Sequence, residues 1–345
     1  MNSLCFDRPF HAAGATGRIV SAIILALLCS IPAHAAQSEA GPQRELTVDA
    51  LSVVKIKSQA VRDARSAATL GSEREGTGVV IDSNGLVLTI GYLITEAEKV
   101  ELSTADGKVF PATVIAADAR TGMGLLKALL PLPVKPIDFG DSAGLAEREL
   151  VLIVGFDGVA PAYVVSRRRF VGYWEYLLDE AIYTAPATVN WQGAALLSKE
   201  GKLLGIGSLA VGDAIGGSHG NIPGNMFVPI DVLKPVLGDM VANGKSTSKP
   251  RPWIGVNTQE VQGNLIVTRV SPDSPADDAG LQQGDVIVGI AGKPVQGQAD
   301  FYTKLWATGQ AGVNVSLDVL KGNQVQTYTV KSRDRDTYFR PNPVY

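Results

Sequence analysis

Ser218 and His219 are neighbouring side chains that could supply a nucleophile and a base. They lie in "GGSHG" (216–220), which fits the G-x-S-x-G pattern of a serine held at a sharp turn. That pattern requires a strand, a turn and a helix, whereas the surrounding "VGDAIGGSHGNIPG" joins two predicted strands with no helix after Ser218. We therefore interpret this segment as a glycine-rich surface loop rather than a catalytic turn.

Composition argues against several other kinds of chemistry. Both cysteines, Cys5 and Cys29, precede residue 36, and His219 is the single histidine after it. No metal site and no cofactor are therefore expected. The net charge of -3 gives no indication of a nucleic-acid partner. We interpret the basic run "SRRRF" (166–170) as a solvated strand edge, with docking of an anionic partner as the alternative.

Residues 1–35 have the pattern of an export signal. Arg8 and Arg18 precede the apolar run "IVSAIILALLCSI" (19–31), and "AHA" (33–35) fits an A-x-A cleavage site. This run is shorter than the roughly 20 residues that a membrane-spanning helix needs. We expect cleavage, no stable membrane anchor afterwards, and a location in the periplasm or outside the cell; a retained anchor is the alternative.

The elements that must position any site are mostly short strands. "GTGVVIDSNGLVLTI" (76–90) predicts two strands joined by a turn, and apolar runs broken by turn residues continue to about residue 229. This spacing predicts a β-barrel or sandwich over residues 45–243. "PIDVLKPVLGDMVANGK" (229–245) predicts a closing helix that ends at Gly244.

A second, smaller unit is predicted after a polar, proline-containing linker at residues 244–252. Residues 253–335 alternate strand patterns with helical patterns at "SPADDAG" and "ADFYTKLWATG", which predicts a small α+β domain. The tail, residues 336–345, is rich in proline and is expected to be loosely ordered.

Both units resemble the HtrA/Deg family of exported serine proteases, which join a trypsin-like double β-barrel to a PDZ domain. The similarity covers about residues 45–335. It is carried by "GTGVVIDSNGLVLTIGYLI", "DARTGMGLLK", "FGDSAGLAERELVLIVGFD" and "QGAALLSKEGKLLGI" in the first unit, and by "SPADDAGLQQGDVIVGIAGKPV" in the second. The resemblance implies a mostly β fold with a trypsin-like double barrel, followed by a PDZ domain.

Carried over from the family, the three catalytic positions are Tyr92, Gly122 and Gln192. The mechanism needs a nucleophile, an imidazole base and a carboxylate that orients it. A phenol is a poor base at neutral pH, glycine has no side chain, and an amide is not a nucleophile. The loop before Gln192 is also one residue shorter than the family pattern and contains Trp191, which puts the oxyanion hole in doubt. We therefore predict a protein with no catalytic residues that is not an enzyme.

The PDZ resemblance places a carboxylate-binding loop at Trp253, Ile254, Gly255 and Val256. In that mode, backbone N–H groups capture the terminal carboxylate of a peptide that adds to the sheet as a strand. Phe301 and Leu305, four residues apart on the predicted helix, would shape the side-chain pocket. The chain's own end, "PNPVY", could occupy this site, and a PDZ fold that only packs against the barrel is the alternative.

Three functions follow from the sequence. The preferred one is an exported, inactive relative that binds polypeptides or protein C-termini as an adaptor, chaperone or regulatory subunit. The alternatives are an active serine endopeptidase in envelope protein quality control, and a structural subunit of a mixed oligomer. We expect a homo-oligomer or a mixed oligomer, and the family resemblance implies a trimer. For the aromatic cluster of Tyr173, Trp174 and Tyr176, core or subunit packing and peptide stacking both remain open.

Overall fold

The computed structural model describes residues 51–217 and 221–339. Strands are the main regular element of these residues, and the helices are short. The strands are β1 (Val53–Ala60), β2 (Glu73–Val80), β3 (Leu86–Ile90), β4 (Ala97–Ser103), β5 (Val109–Ala117), β6 (Met123–Ala128), β7 (Leu150–Gly155), β8 (Gly158–Gly172), β9 (Tyr176–Ala185), β10 (Ala195–Leu197), β11 (Leu203–Val211), β12 (Gly224–Pro229), β13 (Val256–Val261), β14 (Asn264–Val270), β15 (Val286–Ile290), β16 (Lys293–Pro294), β17 (Asn314–Lys321) and β18 (Gln324–Lys331). The α-helices are α1 (Ala67–Leu70), α2 (Lys234–Asn243), α3 (Pro275–Asp278) and α4 (Gln298–Ala307), and 3₁₀ helices lie at Gly91–Leu93, Ile230–Val232 and Arg335–Thr337.

The first barrel closes in the order β1-β2-β3-β6-β5-β4. β1 completes it by pairing with both neighbours, so that Ile56 lies opposite Gly76 of β2 and Leu102 of β4. Closure leaves no open strand edge, and the inward side chains, such as Leu88 and Leu125, are fully buried.

The second barrel closes in the order β10-β11-β12-β9-β8-β7. Its β8 and β9 form a long hairpin in which Gly172 pairs with Tyr176. The hairpin turns at Tyr173–Glu175, and Glu175 adopts a φ of +57°, which only a minority of non-glycine residues do. α2 follows this barrel, and Gly244 ends it in the left-handed conformation, as the sequence predicts.

The third unit is a sheet in the order β13-β14-β15-β17-β18, with β16 paired to β15. Ser274 caps α3 by accepting a hydrogen bond from the backbone N–H of Asp277. α4 packs on the sheet through Phe301, Tyr302 and Leu305, which are fully buried. The observed architecture confirms the predicted fold class of a double β-barrel followed by a small α+β domain.

Candidate polypeptide cleft and PDZ groove

A cleft of about 860 Å³ is lined by both barrels and by residues of the third unit. All three positions predicted from the catalytic pattern, Tyr92, Gly122 and Gln192, lie on its wall, together with Trp191 and Ser208. The three positions, which are up to 100 residues apart in the chain, therefore come together at one cleft in the fold.

Tyr92 enters the cleft from the 3₁₀ helix that follows β3. Its hydroxyl donates a hydrogen bond to the backbone oxygen of Ser208 in β11, at 3.0 Å, and thereby connects the two barrels. Burial raises the pKa of Tyr92 above its ordinary value, because the phenolate would lose its hydration. At neutral pH this side chain is a hydrogen-bond donor rather than a proton acceptor.

Gly122 has a φ of +74°, which disfavours any residue with a side chain. Its backbone oxygen accepts a hydrogen bond from Gly91 N–H at 2.7 Å. A Cβ atom at this position would lie 3.0 Å from the hydroxyl of Tyr176, which itself donates to the backbone oxygen of Thr121. Tyr176 therefore occupies the space into which a side chain at residue 122 would project.

The backbone of Gln192 connects the two barrels. Its carbonyl oxygen accepts a hydrogen bond from the N–H of Thr77 in β2, at 2.8 Å. Just before it, Asn190 N–H donates to the hydroxyl of Thr188, at 3.4 Å. The N–H of Asn190 is therefore directed into its own loop.

The other sequence-predicted candidates fall into two groups. Ser218 and His219 lie outside the described residues, and residues 51–217 and 221–339 contain no histidine. The arginine run is paired within its own barrel: Arg167 with Glu180 and the backbone, Arg168 with the backbone and the ring of Tyr183, and Arg169 with Asp179.

The aromatic cluster divides between core and cleft. Tyr176 is buried and stacks on Trp174 with ring centroids 5.7 Å apart. Tyr173 is 58% exposed and packs edge-on against Trp174. All three line the cleft, so core packing describes Tyr176, whereas Tyr173 remains accessible to a ligand.

The predicted carboxylate-binding loop holds a carboxylate from this chain. The side chain of Glu175, at the tip of the β8–β9 hairpin, accepts hydrogen bonds from the N–H groups of Ile254, Gly255 and Val256 at 2.7–3.3 Å. Trp253 takes no part in this capture, because its N–H donates to the backbone oxygen of Arg333. Its ring packs against Tyr338 instead.

The hairpin also covers the strand edge beside that loop. Thr258 N–H in β13 donates to the backbone oxygen of Tyr173, at 3.0 Å. The hydroxyl of Tyr302 in α4 donates to the backbone oxygen of Gly172 and accepts from the N–H of Glu175. The groove between β13 and α4 is thus filled by the hairpin tip, and the tail residues 341–345 proposed for it lie outside the described residues.

Phe301 and Leu305 were predicted to shape an open side-chain pocket. In the structure, both side chains lie in the core of the third unit. Both are fully buried. Val171 and Leu177 of the barrel hairpin pack against this core. Four-residue spacing identified the buried face of α4, but no sequence pattern indicated that the hairpin packs there, or that Glu175 and Tyr302 take part.

Docking of the Glu175 side chain is expected to weaken as the pH rises. Burial raises the pKa of Glu175 from 4.5 to about 7. Hydrogen bonds from three backbone N–H groups and the charge of Arg335 act in the opposite direction and lower this pKa. The hydroxyl of Tyr302 accepts a hydrogen bond from the backbone N–H of Glu175. Since the docked carboxyl holds its proton more tightly than the free one, docking is strongest below about pH 4.5. It weakens up to about pH 7, by roughly 3 kcal/mol.

Hydrogen exchange of the amides of Ile254, Gly255 and Val256, corrected for intrinsic rates, measures this dependence. The variant Glu175→Asn should show no such pH dependence, because it has no titrating group at this place. If the protection of these amides, after that correction, stays constant between pH 4.5 and 7 in the unmodified protein, the expectation is contradicted.

Within residues 51–217 and 221–339, no helix has the length and apolar character needed to cross a membrane. The same ranges hold no group of three or more His, Cys, Asp or Glu side chains arranged to bind a metal ion.

Comparison with known families matches both units. Residues 76–206 match the trypsin-like peptidase domain, and residues 252–332 match the PDZ domain. A variant of the HtrA-type protease AlgW, solved with a tripeptide, has the same fold, with a TM-score of 0.51, 20% identity and coverage of 85% of this chain and 95% of that one.

Relatives of similar sequence are named as serine proteases. The putative serine protease HhoA of Synechocystis sp. is 26% identical over 93% of this chain and 91% of its own length. A probable periplasmic serine endoprotease, DegP-like, of Pseudomonas putida is 30% identical over 74% of this chain and 55% of its own length. The periplasmic pH-dependent serine endoprotease DegQ of Escherichia coli is 29% identical over 72% and 57%. The chain thus spans just over half the length of the latter two.

These relatives contradict the prediction that the chain is not an enzyme. That prediction depended on the side chains at three positions, whereas proteins similar over most of the chain are named as serine proteases and endoproteases, which points to protease activity. The peptidase match, the single PDZ match and these relatives together place the protein: the chain belongs to the HtrA/Deg family, with a trypsin-like peptidase domain followed by one PDZ domain.

Proposed function

We propose that this protein acts on polypeptides of the cell envelope and binds an extended segment in the cleft between its barrels. The cleft itself is the observation that carries the proposal. Trp191 and Gln192 line it, and they provide an aromatic ring for the side chains of a peptide and an amide for its backbone. The periplasmic relatives and the export pattern of residues 1–35 support a periplasmic location.

Replacing Trp191 with alanine is expected to weaken binding of unfolded polypeptide about tenfold, because a large aromatic anchor is lost from the cleft. The measurement is fluorescence anisotropy of labelled, unfolded casein titrated with the purified protein, with an expected micromolar dissociation constant. Tyr163→Ala is the matched control, since Tyr163 is a half-exposed aromatic residue of β8 outside the cleft. Equal affinities of the Trp191 variant and the unmodified protein would refute binding in the cleft.

Hydrolysis of the bound polypeptide is the second candidate function, and the names of the relatives favour it. A serine mechanism needs a hydroxyl and a base within hydrogen-bond reach. Tyr92, Gly122 and Gln192 do not supply that pair, so hydrolysis would have to draw it from elsewhere. Ser218 and His219 are the sequence candidates, in the segment of the chain between β11 and β12.

If hydrolysis follows this route, casein is cut into fragments by the purified protein, and Ser218→Ala and His219→Gln each abolish the cutting. Ser248→Ala, in the linker, is the control and should leave it unchanged. The measurement is fragment formation on denaturing gels, with mass spectrometry of new termini. Binding of casein without any fragments after prolonged incubation would rule out this second function.

A further inference from the structure

We propose that Tyr173–Glu175 at the tip of the β8–β9 hairpin is a built-in ligand of the PDZ groove, which a polypeptide with a free C-terminal carboxylate must displace. This inference rests on the proposed function, because it assumes that the protein binds polypeptides. It identifies the class of ligand, and it identifies Glu175 as the internal competitor of that ligand.

The carboxylate geometry is the first argument. Three consecutive backbone N–H groups converge on one oxygen of Glu175, with its closest bond, to Gly255, at 2.7 Å. Converging backbone N–H groups are the means by which this type of groove captures a peptide's terminal carboxylate. Glu175 is 6% exposed, so a second carboxylate has no access to these groups while the hairpin is docked.

The backbone and side chains of the hairpin reproduce the remaining features of a bound peptide. Tyr173, two residues before the carboxylate, accepts a hydrogen bond from Thr258 of the edge strand β13. Val171 and Leu177, which are paired across the hairpin, pack on the apolar core between sheet and helix. Strand addition, terminal capture and apolar anchoring are thus all supplied from within the chain.

An internal ligand competes at a high effective concentration. A segment joined covalently to its site acts as if present at about millimolar concentration, whereas short peptides bind such grooves at about micromolar affinity. The apparent affinity for an external peptide is reduced by the fraction of grooves that are free. Removing the Glu175 carboxylate should therefore raise peptide affinity by about tenfold or more.

The test uses the purified whole protein and a fluorescent heptapeptide, RFVGYWV, which copies residues 169–174 and replaces Glu175 with a C-terminal valine that has a free carboxylate. Its C-terminal amide is the second probe. Glu175→Asn shortens the side chain and suits the positive φ of this residue. Glu180→Asn, an exposed glutamate of the same hairpin, is the matched control.

We expect the carboxylate peptide to bind Glu175→Asn at least tenfold more tightly than the unmodified protein, and the amide peptide to gain less. The control should bind like the unmodified protein. Hydrogen exchange at Ile254, Gly255 and Val256 should accelerate in Glu175→Asn. Equal affinity of the carboxylate peptide for the unmodified protein and Glu175→Asn, or unchanged exchange at those amides, would overturn the built-in ligand.

Failure of the proposed function would look different, as absence of casein binding by the unmodified protein while the groove still binds the peptide. Failure of peptide capture by the groove is a third outcome. If exchange accelerates in Glu175→Asn but no variant binds either peptide, polypeptide capture by the groove is overturned, and displacement with it. If Glu175→Asn does not fold, Tyr302→Phe takes its place. This change removes the hydroxyl that bonds Gly172 and Glu175, and it should raise peptide affinity severalfold. Unchanged affinity in a folded Tyr302→Phe variant would count against the inference.

Discussion

Replacing Gly193 with alanine is expected to lower the free energy of unfolding by about 4 kcal/mol or more. Gly193 follows Gln192 on the cleft wall and has a φ of +72°. An added Cβ atom would lie 2.1 Å from the backbone oxygen of Thr77 and 2.7 Å from the hydroxyl of Thr89. Because Thr77 belongs to the first barrel and Gly193 to the second, relief of the clash requires the backbone to shift where the two barrels meet.

The measurement is urea unfolding of the two proteins, with casein affinity as a second readout. Gly201→Ala is a close control, because Gly201 has a φ of +75° and no atom lies within 4 Å of its added Cβ. Gly201→Ala places alanine at a positive φ and changes the entropy of the unfolded chain just as Gly193→Ala does. It should therefore lower the free energy of unfolding by only about 1–2 kcal/mol. Similar losses in both variants would show that the contact with Thr77 is not what requires glycine at residue 193.

Replacing Arg74 with methionine is expected to destabilise the protein by about 3–5 kcal/mol. Arg74 is 6% exposed and donates to the backbone oxygens of Tyr92 and Thr95 and to the hydroxyl of Ser66. Methionine fills similar space but leaves these buried acceptors without that donor, and removes the positive charge near the buried Glu96.

Because Arg74 holds the 3₁₀ helix that carries Tyr92, its loss should also weaken polypeptide binding in the cleft. Thermal and urea unfolding measure the first effect, and casein anisotropy measures the second. Arg62→Met is the matched control, since Arg62 is exposed, and it should change stability by less than about 0.5 kcal/mol. A destabilisation of Arg74→Met as small as that of the control would mean that solvent or a neighbour replaces the lost donor.

Much of the fold was predictable because it depends on local patterns. Alternating apolar residues and turn residues gave the strands around "DSNG", and Gly244 gave the end of α2. Tyr92, Gly122 and Gln192 line one cleft, and each lies in a segment with a recognisable sequence pattern; their equivalence to the catalytic positions stays a prediction. Inferring from their side chains alone that the chain is not an enzyme was wrong, since relatives over most of the chain are named as proteases.

The sequence alone indicated the strands, the turns and the two units, because hydrophobic periodicity and turn chemistry act over a few residues. The resemblance of its motifs to a known family indicated the double barrel, the PDZ domain and the family. Only the tertiary structure revealed what fills the PDZ groove. Glu175 lies 79 residues before Ile254, in a hairpin tip whose aromatic residues do not indicate a partner, and its own partners are backbone N–H groups that every sequence possesses. Such a contact depends on how the hairpin and the third unit meet in space, so no local pattern in the sequence encodes it.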